Sequence, residues 1–140
     1  MKAERTRLVR LKRLETLRGI ARQTALAEAG KAEARLAELE HLGSRTAALI
    51  TGYAMRSDAQ SGGDLARQRI YLGELERMVA RNAADIARAR EQADARAAQA
   101  AAAERSRAAA ETRANATEAR IARQESAASV PLGARPPRPT

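Results

Sequence analysis

From Leu65 onward, apolar residues return at every third or fourth position. With Leu65 at heptad position a, the a and d positions run Leu65, Gln68, Leu72, Leu75, Val79, Asn82, Ile86, Ala89, Ala93, Arg96, Ala100, Ala103, Arg107, Ala110, Ala114, Thr117 and Ile121. Twelve of these seventeen are apolar and the register does not break, which is the signature of a helical coiled-coil seam. A looser seam precedes it: Leu14, Leu17, Ala21, Ala25, Ala29, Ala32, Leu36, Leu39, Gly43, Thr46, Ile50 and Tyr53. The pattern therefore predicts two helices, over residues 4–57 and 64–124. Between them SDAQSGG reads as a turn over 58–63, with glycines that tolerate positive φ and with Asp58, Ser61 and Asp64 as turn or cap residues.

Two seams of similar length joined by a short turn predict an antiparallel coiled-coil hairpin in an all-α domain covering residues 1–124. Folding about Gly62 pairs positions that sum to about 124: Tyr53 with Tyr71, Leu49 with Leu75, Thr46 with Met78, Leu42 with Asn82 and Leu39 with Ile86. Asn82, Arg96 and Arg107 interrupt the seam and are expected to set its register. Residues 125–140, ESAASVPLGARPPRPT, hold all four prolines and read as a disordered tail.

Composition supports helices and removes several function classes. The chain has 140 residues, no Phe, no Trp and two Tyr, and 31% of it is charged. Few β-branched residues argue against a sheet. Without cysteine there is neither a disulfide nor a thiolate metal site, and His41 alone cannot build a zinc site. No nucleophile–histidine–acid set and no Gly-rich phosphate loop is present, so no catalytic residue, cofactor or small-molecule substrate is expected. No run of about 18 apolar residues suggests a membrane span.

The charge is uneven. Residues 1–22 hold eight Lys or Arg against two Glu, out of a net +9 for the chain. Such an end attracts acidic partners. Nucleic acid is a weaker expectation, because the basic end has no aromatic side chain for base stacking. The same segment carries Leu8, Leu11, Leu14 and Leu17, an apolar stripe facing the alanine-rich part of the second helix. Alanine buries little area, so this half of the hairpin is expected to be only weakly stabilised. At the other end, Tyr53, Tyr71, Leu49, Leu75 and Met78 are expected to form a small apolar patch beside the turn. Tyr and Met are favoured at interface centres.

Across the turn the chain reads Leu49-Ile50-x-x-Tyr53, then Gly62-Gly63, then Arg69-x-Tyr71-Leu72-x-x-Leu75-Glu76; at the start it reads Arg7-Leu8-x-x-Leu11-x-x-Leu14. In these stretches, and in its two-helix layout over residues 1–124, it resembles the flagellar type III export protein family FliJ and its injectisome relatives of the YscO type. The resemblance implies a non-enzymatic stalk, cytoplasmic and peripherally associated with the inner-membrane export apparatus. Such a stalk enters the hexameric flagellar export ATPase, contacts the cytosolic part of the export gate membrane protein and handles export chaperones. Carried onto this chain, the ATPase-ring contact would be Arg7, Leu8, Arg10, Leu11, Leu14 and Leu17. The export-gate contact would be Leu42, Thr46, Leu49, Tyr53, Tyr71, Leu75, Met78 and Asn82. The rival expectation is a generic basic coiled-coil scaffold or nucleic-acid-associated protein.

Overall fold

The computed structural model describes residues 2–54, 62–129 and 133. They form two α-helices, α1 (Lys2–Ala54) and α2 (Gly62–Ser129), packed antiparallel, and no strand occurs among the described residues. The all-α coiled-coil hairpin expected from the periodicity is the fold. Ala, Leu, Arg and Glu dominate both helices and are among the best helix formers.

The boundaries differ from expectation in three places. Gly62 and Gly63 form the first turn of α2, and no described glycine has a positive φ. Asp64 accordingly lies inside that first turn, where its carboxylate complements the helix dipole, rather than ahead of it as a cap. At the other end α2 continues to Ser129, because QESAAS has no proline to stop it. Residues 55–61, with Asp58 and Ser61, lie outside the described residues, as does most of the Pro/Arg tail.

Two compact units divide the helices: residues 25–100, and residues 1–24 with 101–140. In the first, the seam is built from Leu39 and Thr46 of α1 against Leu75, Asn82, Ala93 and Ala100 of α2, all buried. Half-buried Leu36, Gly43, Ile50, Tyr53, Leu72, Val79 and Ile86 are among the residues that extend it. Asn82 Nδ2 donates to the Leu39 carbonyl at 3.2 Å. Gly43 lies against the same amide: a Cβ there would sit 2.5 Å from Asn82 Oδ1. Asn82 therefore meets Leu39 and Gly43, not Leu42 as the simple pairing anticipates.

In the second unit, Ala110, Ala114, Thr117 and Ile121 of α2 are buried. They face a seam that differs from the expected one. On α1 the half-buried positions include Glu4, Leu8, Leu11, Leu14, Glu15, Gly19 and Arg22, whereas Leu17 is 62% exposed and Ala21 is exposed. The expected steps through Leu14, Leu17 and Ala21 followed apolar identity. The half-buried stripe instead takes in Glu4, Glu15 and Arg22, while Arg18, the d position of a strict heptad, is exposed. Alanines opposite offer no pocket that selects a side chain, and ion pairs join the helices beside them: Arg22 with Glu104, Lys12 with Glu118, Arg5 with Glu125, and Glu4 with Arg120.

The remaining seam arginines are partnered within α2. Arg96 donates to Gln99, and Arg107 is held between Glu104 and Glu111. Of the three polar interruptions, only Asn82 makes a hydrogen bond across the helices among the described residues.

Candidate functional site

In the unit spanning residues 25–100, the two flanks of the seam carry different chemistry. Writing α1 with Gly43 at a and α2 with Leu65 at a, the e positions of both helices share one flank and the g positions share the other. The e flank is ionic: Glu40 of α1 receives Arg90 of α2 at 3.2 Å. The g flank holds Leu42 and Leu49 of α1 with Tyr71 and Met78 of α2, which are 48%, 51%, 38% and 42% exposed. Four large side chains beside a two-helix seam stay open to water because no third helix covers that side. Leu65, expected in the seam, is exposed as well.

The turn-proximal end of this strip is held firmly. The rings of Tyr53 and Tyr71 meet with centroids 4.5 Å apart at a 40° tilt, within the range of favourable aromatic pairs. Gln68 Nε2 donates to the Tyr53 carbonyl at 3.0 Å. That carbonyl lies near the end of the described part of α1. The polar side chain of Gln68 thus has a place in the seam, because it ties α2 to the backbone of α1.

The residues expected at an export gate fall into two groups. Leu42, Leu49, Tyr71 and Met78 are on the surface, and Tyr53 is half-buried beneath Tyr71. Thr46, Leu75 and Asn82 face the opposite helix, with exposures of 5%, 4% and 8%, so a partner cannot reach them while the helices are paired. Periodicity alone could have separated the groups: Thr46, Leu75 and Asn82 occupy d positions, and the other surface members occupy g.

The residues expected at an ATPase ring are all near the start of α1. Leu8, Leu11 and Leu14 are half-buried against α2, while Arg7, Arg10 and Leu17 are exposed. Among the described residues, Arg7 and Arg10 take part in no ion pair. Sequence reasoning missed Val9 and Ile20, which are 51% and 55% exposed on the side of α1 away from α2. They lie off the seam, and only a strict heptad through Glu15 and Arg22 reveals where they point.

The strongest electrostatic feature is elsewhere, around Arg107. Hydrogen bonds to Glu104 and Glu111 raise the guanidinium pKa above its ordinary value. The Arg107 hydrogen bonds in turn hold Glu104 below the usual carboxylate range against a partial desolvation, and the charges of Arg107 and Arg22 act in the same sense. This cluster sits in the alanine stretch and holds α1 through Arg22. Its arrangement is that of a structural clamp, with every charge turned onto another. His41 is exposed.

No helix among the described residues is long and apolar enough to cross a membrane. Compared with known proteins, the chain matches no family model, no curated protein and no solved structure.

Proposed function

We propose that the chain is a non-enzymatic stalk and adaptor of a type III protein export apparatus of the flagellar kind, engaging a hexameric export ATPase and the cytosolic part of the export gate. The observation that carries this reading is the one-sided apolar strip of Leu42, Leu49, Tyr71 and Met78. It lies within the stretch whose sequence resembles the FliJ family, and the resemblance assigns gate contact to that stretch. An adaptor needs a passive rigid body with a sticky side, which the ionic and apolar flanks supply. The exposed Arg7, Arg10 and Leu17 are the groups that would reach the ATPase, with Leu8, Leu11 and Leu14 holding the helix beneath them. Export chaperones would be a third class of partner, and location at the inner-membrane apparatus follows from the gate contact.

The test uses the purified export ATPase and the cytosolic gate fragment from the same source as the chain. The chain should stimulate ATP hydrolysis at near-physiological salt and bind the gate fragment. Leu49→Ser with Met78→Ser should abolish gate binding and leave stimulation intact. Neither binding nor stimulation by the folded chain would sink the reading in favour of a basic coiled-coil scaffold; a steep salt-dependent shift of DNA would favour the nucleic-acid-associated version of that rival.

A further inference from the structure

The outward side of α1 between Lys2 and Thr24 has three properties that converge. First, it is apolar: Val9, Leu17 and Ile20 all point away from α2 and are more than half exposed. Second, it has no carboxylate. The two acids of the segment, Glu4 and Glu15, are half-buried on the seam side, and Glu4 is engaged with Arg120. Lys2, Arg10 and Arg13 stand among the aliphatic residues, exposed and in no ion pair among the described residues.

Third, the side is less polar than its sequence reads. Thr6, Thr16 and Thr24 turn their hydroxyls onto their own helix, donating to the carbonyls of Lys2, Lys12 and Ile20 at 3.0, 3.1 and 3.1 Å. A hydroxyl bonded to the preceding turn points inward, so the γ-methyl becomes the outward group. The segment thus presents aliphatic carbon interleaved with cations on long, flexible stems.

We propose that this side of α1 binds directly to an anionic lipid surface, with Val9, Leu17 and Ile20 entering the headgroup boundary and Lys2, Arg10 and Arg13 reaching the phosphates. Basic amphipathic helices bind such surfaces by adding apolar burial to electrostatic attraction. The stems of Arg and Lys lie along apolar groups while their charged heads reach outward. Charge complementarity selects this occupant. A second copy of the chain would bring the same cations face to face. Nucleic acid would use the cations and leave the aliphatic groups without a role, and the segment has no ring for stacking. The proposal does not depend on the export reading: it concerns contact with lipid itself, and a lipid-binding coiled coil outside any export apparatus would satisfy it equally.

Flotation of the full chain with vesicles tests it. Phosphatidylcholine vesicles should leave the chain behind, and vesicles with roughly a third phosphatidylglycerol should carry it. Val9→Ala/Leu17→Ala/Ile20→Ala and Arg10→Gln/Arg13→Gln should each weaken partition by about tenfold. Alanine and glutamine keep helix propensity, and circular dichroism verifies that both variants remain helical. Arg77→Gln/Arg81→Gln, on the other unit and exposed, should bind like wild type. Because the chain has no tryptophan, Leu17→Trp gives a single reporter, whose emission should shift to the blue on anionic vesicles alone. Absence of binding at physiological salt, equal binding by the triple alanine variant, or an unshifted tryptophan in the bound state would each overturn the proposal. The last two would mean that a cationic protein merely adsorbs through its charge.

Discussion

The amide of Asn82 reaches across the hairpin to the Leu39 carbonyl and fills the space that Gly43 leaves open. Asn82 and Gly43 are coupled by geometry, so their substitutions should not add. Asn82→Ala should cost about 1 kcal/mol, the usual net worth of a hydrogen bond. Gly43→Ala should raise helix propensity by about 1 kcal/mol, yet destabilise the protein while Asn82 is present, because the new methyl displaces the amide. In the Asn82→Ala background the same glycine change should stabilise. A double-mutant cycle by chemical denaturation reads the coupling; additive effects would show that the amide has other room.

Acid should loosen the alanine-rich unit through Glu104. Its folded pKa is lowered, chiefly by hydrogen bonds from Arg107. A carboxylate with a depressed folded pKa contributes stability above its unfolded pKa and loses it as pH falls through the folded value. The loss should therefore set in below about pH 4, the ordinary glutamate range. Glu104→Gln should melt earlier than wild type at pH 7 and show a shallower decline between about pH 5 and pH 2, which brackets that range. An unchanged decline would exclude Glu104 as its source.

Leu75 and Met78 lie three residues apart, but their substitutions should have unlike effects. Leu75 is buried at 4% exposure and Met78 is 42% exposed. Leu75→Ala should cost about 2–5 kcal/mol, as a truncated core leucine does. Met78→Ala should change stability by less than about 0.5 kcal/mol. A binding defect from Leu75→Ala would accordingly report unfolding, whereas one from Met78→Ala would report contact. Thermal melts beside each binding measurement distinguish the two.

Gln68→Ala should leave the Tyr53 carbonyl without its donor from α2. The expected cost is about 1 kcal/mol, concentrated at the end of α1. Hydrogen exchange should show the amides of residues 50–54 losing protection while those near Leu39 keep theirs. Uniform loss along α1 would mean that the contact supports the whole helix.

Much of this architecture is legible in the sequence because α2 repeats without a break. Every expected seam position of α2 from Gln68 to Ile121 is buried or half-buried. The simple pairing holds beside the turn, where Tyr53 and Tyr71 meet as expected, but not at Asn82, which meets Leu39 and Gly43 instead of Leu42. What failed was local. At Leu17 and Ala21, apolar identity did not decide the seam: both are exposed while Glu15 and Arg22 are half-buried, since the alanines opposite offer no pocket to reward a leucine. At Gly62 and Gly63, residues with turn chemistry were absorbed into the helix. Of the eight residues expected at the gate, periodicity fixes which lie in the seam, but the idea of a patch came from residue type. Type cannot distinguish Leu75 in the seam from Leu49 on its flank.

The contrast between the ionic and the apolar flank of residues 25–100 also sets a direction. A coiled coil that is apolar on both sides of its seam can add helices in either direction and grow into an open array. Here one side carries the exposed Glu40–Arg90 ion pair, while the Leu42, Leu49, Tyr71 and Met78 side presents the large apolar groups. The large apolar groups of this part of the hairpin therefore face one direction, so a helix added there would meet them from a single side.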